Sequence, residues 1–449
     1  MPAAFSENSI CPLVIVGSGF ASFCLAAHLL REHPERASDI TIIGPEPFGY
    51  GAAYGCTHPD FRLNVRARIM RIFPDRTEDF RKWAETEIED IAAHNPQGVF
   101  YRRKDFARYL SALRHQLSGF DRLNQISDEV ISADRTDNVW QLEVATGQRL
   151  TARYLVLATG NPPPRWPCEI IGNTPKDRLV ENPWSGQWLN KIAKTDRVAF
   201  IGGGLTAMDG IYSLARQGHI GQIEVVLPHG ILPPKQTDWQ AEPPIIWPDN
   251  ITTASQFFRF MKHALGTRDW IQTSWQSRFE ALRIHINSVW QQLEDTEQNR
   301  LMRHVGHWWQ LARFRSAPQN FDAAETLRAT GQLSLVKGRV RQIKKQDSQL
   351  CLILQDGREY LADRAVNCTG PAPDRLAGQM LADGLAAPDR TGKSLRIAPC
   401  LSVMDNAHDP QNNLFAIGAM TASCLGDVIG AGSVAKQAEE LAGKLAKIF

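Results

Sequence analysis

Cys11-Pro-Leu-Val-Ile-Val-Gly-Ser-Gly-Phe-Ala-Ser22 is the stretch that decides the fold. Its short apolar run has the character of a strand buried on both faces. Gly17-x-Gly19-x-x-Ser22 then turns the chain tightly enough for the backbone to approach a pyrophosphate, with a small residue in the last place. Residues 23–31 carry helical apolar spacing, and Ile40-Thr-Ile-Ile43 reads as a second strand. Strand, glycine turn, helix and strand make a βαβ unit.

The unit recurs downstream. Arg197-Val-Ala-Phe-Ile201 is the strand, Gly202-Gly-Gly-Leu-Thr-Ala207 the turn, residues 208–217 the helix and 221–227 the returning strand. Ala207 is an accepted variant of the third glycine. A second repeat accompanies the first. Residues 146–160 align without gaps on 356–370, closing on Thr159-Gly160 and Thr369-Gly370. Alternating segments at 140–144 and 350–354 precede them and read as hairpins. The expected fold is therefore α/β, with two Rossmann-like dinucleotide-binding domains, each carrying a β-meander.

Asn161-Pro-Pro-Pro164 and Pro167 form a stiff linker between the halves. From about 255 to 328 helical spacing takes over, with few glycines and with Trp270, Trp275, Trp290, Trp308 and Trp309. Asp295-x-x-Gln298 and Asp322-x-x-Glu325 resemble capping-box starts. The expected division is 1–165, the first part of one domain, and 166–370, the second domain with a helical insertion at about 251–330. Residues 371–449 return to the first domain through a strand at 413–418 and a helix at 430–448.

Composition narrows the function. The 449 residues carry 50 Lys plus Arg against 48 Asp plus Glu, a net charge of +2 with no basic block. Nucleic acid is not expected as a partner, because phosphate affinity comes from clustered cations. No run is long enough to span a membrane, and the start has no signal-peptide pattern, so a cytoplasmic chain is expected. The eight cysteines include no C-x-x-C pair, which argues against dithiol reductases. Hydrolase elbows, zinc-protease helices and P-loops are missing from the sequence.

Several positions stand out as candidates. An acid usually follows the second strand and bonds a ribose hydroxyl, but here Gly44 holds that place and Glu46 is the nearest substitute. At the matching place in the second unit stand Leu227-Pro-His-Gly230, where His229 is a candidate for a phosphate. Tyr54, Asn64 and Arg66 lie in a polar, aromatic loop outside the first sheet, where ligands of doubly wound folds bind. His304, His307, Trp308, Trp309, Arg313 and Arg315 cluster on one expected helix, with 304, 308 and 315 sharing a face. No carboxylate completes a metal set there.

Taken together, these motifs resemble the flavoproteins that hold FAD in one domain and NAD(P)H in the other. More narrowly, the chain resembles the bacterial FAD/NAD(P)-binding proteins grouped with FAD-dependent urate hydroxylases and amino-acid N-monooxygenases. The resemblance rests on residues 16–22, Gly49-x-Gly-x-Ala-Tyr54, Leu63-Asn-Val65, Gly202-x-Gly-Leu-Thr206 with Asp209, Gly218-His219, His307-Trp-Trp309 and Asn367-Cys-Thr-Gly-Pro371. It implies FAD on the first turn and NADPH or NADH on the second. The cofactor contacts so implied are Gly17, Gly19, Ser22, Glu46, Tyr54, Asn64, Thr159, Gly160, Gly202, Gly204, Thr206, Thr369, Gly370 and Gly418. The chain departs from the pattern at Gly44, at Arg66 in place of a proline, at Leu227-Pro-His229 in place of Ser-Arg-Arg, and at Ala419 in place of an acid.

The activity implied is a monooxygenase in which NAD(P)H reduces FAD and O₂ supplies the oxygen. Its substrate is a small nitrogen-containing metabolite, either a urate-like heterocycle or an amine or amino acid. Two other readings compete: a reductase passing electrons to a quinone or protein partner, and a flavin redox sensor without turnover. The substrate is expected between the 49–66 loop and the insertion, with Trp309 as a wall and Arg66 or Arg315 as the fork for a polar group.

Overall fold

The structure, a computed structural model, describes residues 10–45, 47–266 and 275–449. Glu46 and Trp270 lie outside these residues. Leu13, Val14 and Ile15 are fully buried in the strand Ile10–Val16, as a parallel strand covered on both faces requires. That strand sits centrally in a sheet ordered Ser402–Met404, Pro410–Ala416, Arg149–Leu157, Ile10–Val16, Ile40–Ile43, Asn124–Ile126. All neighbours are parallel except the first pair, which is antiparallel. The C-terminal strand thus joins the first sheet beside Leu155–Leu157.

Arg149–Leu157 serves two sheets' worth of pairing. Its start runs antiparallel to Val139–Val144, the last strand of the meander, and its end runs parallel to Ile10–Val16. The repeat partner behaves differently. Glu359–Ala362 stays in the second meander while Arg364–Asn367 enters the second parallel sheet. Asp363 marks the break, and its carboxylate accepts the Arg197 amide at 2.8 Å. The second sheet is ordered Leu179–Val180, Arg364–Asn367, Val198–Ile201, Ile223–Leu227, Leu333–Lys337, all parallel.

The helical insertion falls between Ile223–Leu227 and Leu333–Lys337. Its helices are Ala254–Leu265, Trp275–Arg283, Ile286–Gln292 and Asp295–Arg313. A fifth, Pro318–Ala329, is the crossover helix: Ala324 and Leu327 share the apolar core of Leu205–Arg216. Neither expected capping box forms. Asp295 is already helical, and the Gln298 amide instead donates to Trp290 O at 2.9 Å and Leu293 O at 3.1 Å, closing the preceding helix. Asp322 lies inside a helix whose start is fixed by Pro318. Within the insertion a capping box does form at Thr253 with Gln256. The long helix ends at Arg313, so Arg315 is not on the face expected to carry His304 and Trp308. Among the described residues, no helix is long and apolar enough to cross a membrane.

Candidate functional site

Both glycine turns are built by the same steric rule. Gly17 and Gly202 sit at φ 109° and 98°, and a Cβ there would lie 2.2 Å from Ala158 O and 2.5 Å from Cys368 O. Each turn is thereby pressed against the strand that ends in Thr-Gly. Ser22 fills the third-glycine place by donating its hydroxyl to Gly17 O.

The helices that follow begin at Gly19 and Gly204 with no side-chain cap and no acid in the first turn. Their first amides are left for a ligand, and the helix dipole favours an anion there. A Cβ at Gly204 would meet nothing within 4 Å, and one at Gly19 only the Gly51 backbone at 3.5 Å. This open cradle over uncovered amides fits a pyrophosphate at both turns. Thr206 is half-buried in the first turn of the second helix.

The missing acid after the second strand has a steric reason. A Cβ at Gly44 would stand 2.6 Å from the Ser18 amide, so only glycine fits between that strand and the turn. Gly418 approaches the first helix closely, since a Cβ there would lie 3.1 Å from Ala21 Cβ. Its amide donates to Gln437 Oε1 at 2.9 Å, and Gln437 also donates to Thr421 Oγ1 at 2.8 Å. Gln437 carries no motif and is invisible in the sequence, yet it ties the returning strand to the C-terminal helix Ala431–Leu445.

The Thr-Gly ends differ in detail. Thr159 donates its hydroxyl to Asp374, which caps the helix Arg375–Ala382. Thr369 donates to Asn367 Oδ1 at 2.7 Å. Gly160 and Gly370 both have open space where a Cβ would stand.

The loop residues are placed differently from expectation. Tyr54 is buried, edge-on to Phe20 and Phe106 with centroids 5.4 Å and 4.7 Å away, and desolvation pushes its phenol pKa upward. It packs the core around the first sheet. Asn64 is half-buried. Arg66 is buried, with Nε donating to Gln97 O at 2.8 Å and Nη2 to Thr237 O. Arg315 is buried too, donating to Gln276 Oε1 at 2.9 Å and to Glu280. Burial pushes its guanidinium down to about 10. Gln276 Oε1 also accepts the Thr237 amide at 3.1 Å, so both arginines belong to one buried network joining the domains. Their forks are occupied because burial of a guanidinium demands partners.

Trp309 does face open space. A cavity of about 280 Å³ lies between the insertion and residues 422–429, with Met261, Trp290, Met302, Trp309, Arg390 and Asp427 among its walls. Asp427 is held by Arg283 Nε at 2.6 Å and Arg313 Nε at 2.7 Å. Burial raises its carboxyl, but the two guanidiniums outweigh this and hold it below the ordinary range. Arg390 lies 5.3 Å over the Trp290 ring and donates to Ser423 O at 3.1 Å and Asn299 Oδ1 at 2.7 Å.

Comparison with known proteins agrees with this architecture. A family model described as FAD-NAD(P)-binding matches residues 14–162. One described as L-lysine 6-monooxygenase/L-ornithine 5-monooxygenase matches residues 93–303. No curated protein matches the chain. The ornithine N-hydroxylase of Kutzneria sp. 744, solved with reduced FAD, NADP⁺ and L-ornithine, superposes with a TM-score of 0.67. It is 14% identical over 98% of this chain and 99% of its own. The FAD-bound cadaverine monooxygenase of Erwinia amylovora gives 0.61 at 14% identity, over 98% and 95%. The L-lysine 6-monooxygenase of Pseudomonas syringae gives 0.60 at 14%, over 97% and 99%. The solved structures share the fold. The two family models, each over less than half of the chain, support an FAD-dependent NAD(P)H oxidoreductase of the monooxygenase type. Of the two enzyme groups named with the resemblance, these matches describe the amino-acid N-monooxygenases.

Proposed function

We propose that the chain hydroxylates the nitrogen of a small primary amine or amino acid, with FAD on the Gly17–Ser22 turn and the nicotinamide nucleotide on the Gly202–Ala207 turn. The first sheet with its C-terminal strand then forms the FAD domain and the second sheet the nicotinamide domain. The observation that carries the reading is the cavity between the insertion and residues 422–429, a segment that leads straight into the C-terminal helix beside the first turn. Reduced FAD supplies the oxygen-activating chemistry when bound. The chain's task is to bind the amine, orient it and keep water away.

The walls suit an amine that must react neutral. Trp290, Trp309, Met261 and Met302 make much of the wall apolar, and its one carboxylate, Asp427, is consumed by two arginines. An apolar enclosure disfavours the charged form, lowering an amine's pKa and freeing its lone pair. Arg390 is the wall's candidate for a substrate carboxylate. The test is NADPH oxidation by the FAD-loaded protein with L-ornithine, L-lysine, cadaverine and arylalkylamines. A hydroxylamine product matching the NADPH consumed is expected for at least one. Peroxide alone with every amine, or rapid anaerobic reduction of a soluble acceptor without oxygenated product, would overturn the reading in favour of a reductase.

A further inference from the structure

The end of the strand Ile223–Leu227 is where a Rossmann domain meets the adenosine ribose, with an acid for NAD and a cation for the 2′-phosphate of NADP. In this chain the turn and the strand end touch: a Cβ at Gly203 would lie 2.5 Å from Leu227 Cδ1. Two residues on stands His229, exposed, with its ring stacked on His307 of the insertion at 3.8 Å and 23°. No acid occupies this place, and no arginine does.

We propose that His229, held on the face of His307, reads the 2′-phosphate of NADPH, so that the preference for NADPH over NADH is set by one proton. The inference rests on the reading of the Gly202–Ala207 turn as the nicotinamide-nucleotide site. Two imidazoles at this separation do not both carry charge, because like charges so close repel strongly. The partition between them is fixed by burial. His307 Nε2 is buried with no hydrogen-bond partner among the described residues, so a proton there would be unsolvated. Desolvation, and then His229, lower the His307 pKa. His307 therefore stays neutral and serves as an aromatic platform beneath His229, a positioning residue.

The turn has basic residues around it in the fold. Lys337, at the end of the adjacent strand, packs beside Gly230, with its Cβ 3.5 Å from where a Gly230 Cβ would stand. Arg358 donates Nη2 to Lys337 O at 2.6 Å and pairs with Asp356 at 2.7 Å. On the helix, Arg303 and His304 lie one turn before His307. A dianionic phosphate bonded by His229 raises the proton affinity of its imidazole. NADP⁺ binding then carries a proton with it, tightest at low pH and weakening as pH rises through the bound-state pKa. NAD⁺ binding carries none.

Calorimetric titration of the FAD-loaded protein with NADP⁺ and NAD⁺ tests this, in two buffers of different protonation enthalpy between pH 6.5 and 8.5. The 2′-phosphate, with a pKa near ~6, stays largely dianionic over that range. Fractional proton uptake is expected with NADP⁺ alone, together with a roughly tenfold loss of NADP⁺ affinity across the range, equivalent to about one pKa unit. His229→Gln should abolish the uptake and bind both nucleotides alike, and His229→Arg should keep NADP⁺ tight at pH 8.5. His307→Ala should weaken NADP⁺ and reduce the uptake while leaving NAD⁺ unchanged. Equal uptake with NAD⁺, or uptake that survives in His229→Gln, would overturn the proposal while leaving the second turn as the nucleotide site. Failure of both nucleotides to bind would overturn both.

Discussion

Arg315 and Arg390 sit in different surroundings, one buried in a network and one at the cavity wall. Arg315 is buried against Trp275 and Phe279, with ring centroids 5.5 Å and 5.9 Å from its guanidinium carbon, and its ion pair with Glu280 is internal. Glu280 keeps Arg283 as a partner, so removing Arg315 costs at most the about 3–5 kcal/mol of breaking a buried pair. Arg315→Ala is therefore expected to lower the melting temperature while leaving the KM of the surviving folded enzyme unchanged. A raised KM at unchanged stability would restore Arg315 as a substrate residue. Arg390, by contrast, lines the cavity and bonds a carbonyl and an amide oxygen. Arg390→Ala should raise KM roughly tenfold for an amino-acid substrate, about 1.4 kcal/mol for a lost charge-assisted bond. A diamine of equal length should be unaffected, and equal losses for both would remove the carboxylate role.

The turns are the elements on which the cofactor assignment stands, and two of their glycines allow a clean test. Gly19 and Gly204 have ordinary negative φ, −87° and −78°, so a side chain there adds no backbone strain. Valine at either position would instead fill the space over the helix N-terminus. Gly19→Val is expected to fold but purify colourless, and Gly204→Val to keep its flavin while being reduced slowly by NADPH. The reverse pattern would exchange the two sites.

These turns were readable in sequence because glycine spacing is local and its steric cause is local. The caps were not, because Gln298 spends its amide on Trp290 and Leu293, partners set by how two helices meet. Arg66 and Arg315 illustrate the same limit. Sequence brought both to one neighbourhood, and they are linked there through Thr237 and Gln276. Whether a guanidinium faces a ligand or a buried oxygen depends on tertiary packing, which spacing does not encode. Asp427 and Gln437 sit in no motif at all, and their importance comes from the surfaces that close around them.

At the scale of the molecule, the insertion belongs to the second sheet by sequence but is clasped to the first domain's C-terminal segment. Two ionic contacts make the clasp, and burial decides between them. Arg396–Asp295 is partly open, with side chains 26% and 43% exposed, and such pairs contribute about 0–1 kcal/mol. Asp427 is 5% exposed and takes both Arg283 and Arg313, so losing it leaves Arg313 buried without its carboxylate, while Arg283 keeps Glu280. Asp427→Ala should thus cost about 3–5 kcal/mol, and the damage falls on the wall that the insertion shares with residues 422–429. Arg396→Ala should cost less than about 1 kcal/mol and leave the cavity intact. The cavity's function then separates the variants in a second way. With FAD still bound and reducible, Asp427→Ala is expected to consume NADPH mainly as peroxide, because the amine is no longer held dry beside the flavin, whereas Arg396→Ala should stay coupled. Peroxide yield per NADPH, measured beside thermal unfolding, checks both. Full coupling in a destabilised Asp427→Ala would mean that the clasp serves folding alone and that the amine binds elsewhere.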